Sequence, residues 1–206
     1  MRVAIVGGPG IGKSTLVRQL ADLYHNGAYG EGEKGVWDPR VLADIEAGRN
    51  AVGVTEYFGR LYDANYRDAM EHDRAGRVIF FEGARITLEA HIAEYPAEQH
   101  EALRAVLGIG EWWKPDRIVC LTSSTSTIEK HIRLRNRPHE SVELMVHRFR
   151  LIDGEFRRLA AREPNAVVIN RDDMEFHERR DLVRIIEAAG LPMFQEIEYR
   201  VVPDPA

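Results

Sequence analysis

Short apolar runs alternate along this chain with longer stretches in which hydrophobic residues recur every three or four positions. The runs predict strands near 2–7, 27–31, 77–82, 117–121 and 166–170. The longer patterns predict helices over 13–24, 39–47, 52–74, 86–106 with Pro96 as a breaking point, 124–136, 140–162 and 174–189. Strand and helix in alternation predict a three-layer α/β fold, a five-stranded parallel sheet with helices on both faces. Residues 1–190 read as a single domain, and 191–206, with prolines at 192, 203 and 205, as a C-terminal surface segment.

Composition narrows the function classes. Hydrophobic residues make up 44% and charged residues 30% of the chain, which provides a core and argues against wholesale disorder. The net charge of −5 gives no general attraction to a nucleic acid polymer or an anionic membrane. No apolar run approaches membrane-spanning length, and no leader-like segment opens the sequence. Cys120 sits inside Arg117-Ile-Val-Cys-Leu121 and reads as a small core residue with no disulfide partner. Together these features predict a cytoplasmic protein.

In a sheet of this kind ligands gather at the carboxyl ends of the strands. The first strand runs directly into Gly7-Gly8-Pro9-Gly10-Ile11-Gly12-Lys13-Ser14-Thr15, which is G-x-x-x-x-G-K-[ST] between an apolar run and a helical pattern. Its glycines let backbone N–H groups wrap a phosphate chain. Lys13 can reach the β- and γ-phosphates, and Ser14 can place a hydroxyl on Mg²⁺. The third strand ends in Glu82-Gly83-Ala84-Arg85, an acid placed to hold Mg²⁺ and a guanidinium three residues on.

Three further segments carry candidate chemistry. Gly30-Glu31-Gly32-Glu33-Lys34-Gly35-Val36-Trp37 offers Glu33, or Glu31 in a different register, as acceptor of a hydroxyl proton, with Trp37 as a stacking wall. Thr55, Phe58, Tyr62 and Tyr66 fall on one helical face, either as core or as a pocket for a planar base. Arg133, Arg135 and Arg137 precede Pro138. They predict an arginine-rich lid, about residues 131–142, closing over transferring phosphates. His131 and His139 flank these arginines at a separation that suits no zinc site, so Mg²⁺ is the one metal expected.

The order of these features resembles the deoxynucleoside kinase family, within the wider P-loop nucleoside and nucleotide kinase group. The resemblance runs from the phosphate loop to about residue 173 and rests on that loop, on Arg135-Asn-Arg137 followed by Glu140, and on the helix carrying Phe149, Ile152, Phe156 and Leu159. It implies a P-loop kinase fold, ATP with Mg²⁺, a nucleoside-like acceptor phosphorylated on its 5′-OH, and a homodimer. Glu33-Lys-Gly-Val-Trp37 is one residue shorter than the family's Glu-Pro-Val-x-x-Trp. Threonine stands at 55 in place of the family's base-reading glutamine, and Glu82-Gly83-Ala84 keeps only the acid of Asp/Glu-Arg-Ser. The acceptor's base is therefore left open.

Two other readings stay beside it. A nucleoside monophosphate, a nicotinamide riboside or a sugar-like alcohol would serve as acceptor, and Lys34, Arg40, Arg60 and Arg85 are cations for the first of these. Val167-Val-Ile-Asn170-Arg171-Asp172-Asp173 also imitates the Asn-Lys-x-Asp guanine-reading segment of a GTP-binding switch, with arginine in place of lysine.

Overall fold

Strand β1 (Arg2–Val6) lies between β3 (Ile79–Glu82) and β4 (Arg117–Thr122), with β2 (Ala28–Tyr29) and β5 (Ala166–Asn170) at the edges. All pairings are parallel and the order is β2-β3-β1-β4-β5. The computed structural model describes residues 1–31, 37–72, 77–108, 112–135 and 141–193. Glu33 and Arg137, most of the expected C-terminal segment and the tip of the expected lid lie outside these residues.

The sheet is buried on both faces, which is why its strands read as continuous apolar runs. Val3, Ile5, Phe80, Val119 and Leu121 point to one side, packed on α1 (Lys13–Leu23) and α8 (Arg179–Ala189). Ala4, Val6, Phe81, Ile118 and Cys120 point to the other, against α3 (Ala51–His72), α4 (Arg85–His91) and α7 (Val142–Ala160). Cys120 is fully buried, in keeping with its expected core role. The architecture is the three-layer α/β arrangement expected.

The break expected at Pro96 is present, and one expected helix starts later than the periodicity predicts. The expected helix over 86–106 is divided into α4, two short 3-10 turns at Ile92–Glu94 and Ala97–Gln99, and α5 (His100–Gly108). Pro96 adopts an extended ψ of 145°, and Arg148 clamps Glu94 through two 2.8 Å bonds, so the chain turns there. The helix expected from 174 starts only at Arg179. Asp181, fully buried, accepts from the Glu175 N–H at 2.9 Å and holds residues 171–178 as a loop. The remaining helices are α2 (Pro39–Glu46), capped by Asp38 accepting from the Arg40 N–H, and α6 (Thr125–Arg135).

β1 is the point from which the chain departs first to one side of the sheet and later to the other. The crevice at its carboxyl end is where such folds receive ligands.

Candidate active site

The register of β1 and β3 pairs Ile5 with Glu82, so the acid at the end of β3 stands beside the segment leaving β1. That segment turns through Gly7, Gly10 and Gly12, at φ 144°, 77° and 95°. Two of its glycines are also close to neighbouring side chains. A Cβ on Gly8 would lie 2.6 Å from the Phe149 ring, and one on Gly12 would lie 2.7 Å from an Arg171 nitrogen. Gly12 caps α1 with no side-chain bond, so the first N–H groups of the helix remain available to an anion.

A cavity of about 580 Å³ opens over this loop. Of the sequence-predicted residues, Pro9, Gly10, Gly12, Lys13, Ser14, Thr15, Glu31, Trp37, Glu82 and Arg135 line it. Gly7, Gly8 and Ile11 stand behind: Gly7 packs on Leu121, Gly8 on Phe149, and Ile11 is fully buried.

Ser14 Oγ donates to Glu82 Oε1 at 2.8 Å, and Lys13 Nζ reaches the Gly8 carbonyl at 3.4 Å. Burial raises the Glu82 pKa. The nearby Lys13 opposes this, the Glu31 carboxylate adds to it, and the Ser14 hydrogen bond works against it. An all-oxygen pair of this kind suits a hard divalent cation that keeps water and phosphate ligands, rather than a closed protein cage. Among the described residues, no group of three His, Cys, Asp or Glu side chains is placed to hold a metal.

Trp37 lines the cavity beside Glu31, whereas Thr55, Phe58 and Tyr62 do not line it, and Phe58 and Tyr62 belong to a hydrophobic cluster behind. Tyr62 OH donates to Glu31 Oε1 at 2.5 Å, and Trp37 Nε1 donates to the Glu31 carbonyl at 2.7 Å. Trp37 meets Phe58 edge-on, with ring centroids 5.1 Å apart. Burial first, and then the Glu31 charge, push the Tyr62 pKa well above the ordinary tyrosine value, so the phenol stays a donor. Thr55, one turn before Phe58 on α3, is buried.

Other expected residues are placed elsewhere. Arg85 pairs with Glu89 at 2.8 Å and lines a separate cleft of about 320 Å³, so it does not reach Glu31 or Glu82 in this arrangement. It is the first residue of α4, and its exposed side chain runs along that helix. Arg133 pairs with Glu129 on the exposed side of α6, whereas Arg135 faces the cavity.

Four lining residues have no role in the sequence reading, Arg18, Glu175, Phe176 and His177, while Arg171 enters it only in the guanine-reading imitation and His131 only at the start of the expected lid. The strand-end rule reaches Arg171, but the apparent helix over 174–189 concealed that Glu175–His177 belong to a loop folded over the cavity. The guanine-reading imitation has its own internal partners. Asn170 Oδ1 accepts from the Asp172 N–H at 2.9 Å, and Asp172 accepts from Ser123 Oγ and the Ser124 N–H at 2.6 and 2.7 Å. Burial works against ionisation of Asp172, but these bonds outweigh it and hold its pKa at about 2.

No family model matches the chain, and no curated protein sequence matches it. Solved structures do. The chain is similar to thymidylate kinase from Candida albicans, with a TM-score of 0.69 and 14% identity over 90% of each chain. It is similar to deoxyadenosine kinase from M. mycoides with bound dATP, with a TM-score of 0.66 and 16% identity over 91% of this chain and 98% of that one. A NadR protein in complex with NR gives a TM-score of 0.56 and 21% identity over 93% of this chain and 52% of that one. These identities describe likeness of architecture, and on that evidence the chain has the P-loop fold shared with nucleoside and nucleotide kinases.

Proposed function

We propose that this protein transfers the γ-phosphoryl group of ATP to the hydroxyl of a small acceptor, the 5′-OH of a (deoxy)nucleoside. The observation that carries the reading is the Ser14–Glu82 hydrogen bond beside Lys13, in one cavity that Glu31 and Trp37 also line. ATP with Mg²⁺ supplies the phosphoryl group and neutralises charge on its oxygens when bound. The N–H groups opening α1, with Lys13, hold the donor phosphates. Ser14 and Glu82 are the oxygen ligands offered to the metal, Glu82 acting directly or through water.

Glu31 is the base in this scheme. Tyr62 occupies its Oε1, which fixes the carboxylate and leaves Oε2 to take the acceptor's hydroxyl proton. Trp37, with Phe58 behind it, bounds the acceptor's ring system. Arg135 faces the phosphates from the lid side, and Arg133, paired with Glu129, would have to leave that partner to join it. Phosphoryl transfer asks mainly for positioning and charge stabilisation, which this set of residues supplies.

A monophosphate acceptor is the second reading, favoured by Arg18, a cation that lines the cavity together with Ala28, Gly30 and Glu31. An ADP-release assay across nucleosides, their monophosphates and simple alcohols separates the two. Turnover with nucleosides is expected. Inert nucleosides beside reactive monophosphates would replace the first reading with the second.

A further inference from the structure

Arg171 is the only arginine or lysine buried among the described residues, with 4% of its surface exposed. It follows β5 directly, and its N–H donates to the Thr122 carbonyl at 3.0 Å. Burying a guanidinium is costly unless its charge is answered. Among the described residues no carboxylate lies within ion-pair distance of Arg171, and its Nε is buried with no partner.

What the guanidinium does touch belongs to three different elements. Nη1 donates to the Ile11 carbonyl of the phosphate loop at 2.6 Å, and Nη2 donates to the Met174 carbonyl of the β5–α8 loop at 3.2 Å. Nη2 also lies 3.1 Å from His131 Nε2 on α6, the helix that leads into the expected lid. The planar group stacks on the Phe176 ring with its carbon 4.4 Å from the centroid. Gly12 leaves room for it, since a Cβ there would crowd Nη1.

Resting on the ATP-site reading above, we infer that Arg171 is a positioning residue for the donor nucleotide. It clamps the Ile11 carbonyl so that the loop's N–H groups face the cavity, and it ties the β5–α8 loop and α6 to that loop. Its positive charge, which Glu175 and Asp172 offset only from beyond ion-pair distance, stands at the wall of a cavity meant for a polyanion and favours the nucleotide-bound state through space.

The contact with His131 sets a protonation condition. A guanidinium nitrogen is only a donor, so His131 must offer Nε2 as an acceptor and therefore be neutral. Protonation would set two cations against each other and loosen α6 from the loop. Arg171 and Glu175 from the loop and Lys130 from its own helix act on this histidine. Arg135 on α6, Lys13 on the phosphate loop and His177 share the cavity, to which α7 turns Met145.

The test is calorimetric titration of ATP with Mg²⁺ into wild type, Arg171→Met, Arg171→Lys and His131→Gln at several pH values, with melting curves alongside. In Arg171→Met the Kd for ATP is expected to weaken roughly 10- to 100-fold, the scale of a lost charged hydrogen bond. The acceptor KM and kcat at saturating ATP should stay within about 3-fold. Arg171→Lys should recover part of the affinity. Wild-type affinity should fall on the acid side as His131 protonates, and His131→Gln should flatten that fall.

Unchanged ATP affinity in Arg171→Met would overturn the inference, as would a fall in kcat and melting temperature with a rise in acceptor KM alongside the loss of ATP affinity. If Arg171→Met does not fold, Arg171→Lys with wild-type affinity and His131→Gln with a wild-type pH profile would overturn it equally. If wild type itself takes up no ATP, it is the proposed function that fails.

Discussion

The phenol of Tyr62 and the carboxylate of Glu31 meet at 2.5 Å, 31 residues apart in sequence, at the edge of a cavity that Glu31 lines. Replacing Glu31 by glutamine should lower kcat about 100-fold or more while leaving ATP affinity nearly unchanged. Tyr62→Phe should cost about 10-fold, since it removes orientation and leaves the base in place. Steady-state kinetics with Glu33→Gln as companion decides the assignment. Full turnover in both glutamate variants would remove general-base catalysis from either position.

Loss of Lys13 should be more severe. Lys13→Ala is expected to abolish measurable transfer, and chelation of Mg²⁺ should do the same to wild type. Ser14→Ala and Glu82→Gln should each raise the Mg²⁺ concentration needed for half-maximal activity, and the double variant should lose less than the sum of the two. Non-additivity is expected because the side chains are bonded to each other.

Gly83 offers a test of packing rather than chemistry. Its φ is 86°, and a Cβ there would stand 2.6 Å from the Tyr62 ring. Gly83→Ala should therefore destabilise the fold by about 2 kcal/mol or more, from backbone strain and overpacking together. It should also lower kcat by displacing Tyr62 from Glu31. A melting temperature and kcat both equal to wild type would show that the ring yields without consequence.

Acid sensitivity should come in part from Glu94. Burial opposes its ionisation, but His91 and Arg148 outweigh that and bring its pKa to about 2, below the ordinary 4.5. A depressed folded-state value contributes stability that is complete above the unfolded pKa and is lost as pH falls through the folded one. Glu94→Gln should therefore cost about 2–3 kcal/mol at neutral pH. The gap between variant and wild type should close between pH 4.5 and about 2, which denaturant unfolding across pH would reveal.

The sheet was largely readable from sequence because strands buried on both faces announce themselves as uninterrupted apolar runs, as in Ile79–Glu82 and Arg117–Thr122. The phosphate loop was readable because its chemistry is local: glycines, Lys13 and Ser14 act within one turn. Arg171 and Phe176 were harder to recognise. Their position depends on Asp181 pulling back the Glu175 N–H, a contact that helical periodicity does not encode. Arg85 illustrates the converse. It follows a strand end closely enough to suggest a role in the site, but the opening of α4 turns its side chain along the helix to Glu89. The contact between Glu31 and Tyr62 also needed three dimensions, since the two stand 31 residues apart in sequence.

The two halves of the cavity stand on unequal foundations. On the proposed reading, its nucleotide side follows β1, β4 and β5, strands of five or six residues, whereas Glu31 and Trp37 on the acceptor side follow β2, which is two residues long. Lengthening or rewriting the chain after Tyr29 would thus reshape what is recognised there without disturbing the central strands. Under such a division, new acceptor preferences can arise by loop exchange alone, with the phosphate grip inherited intact.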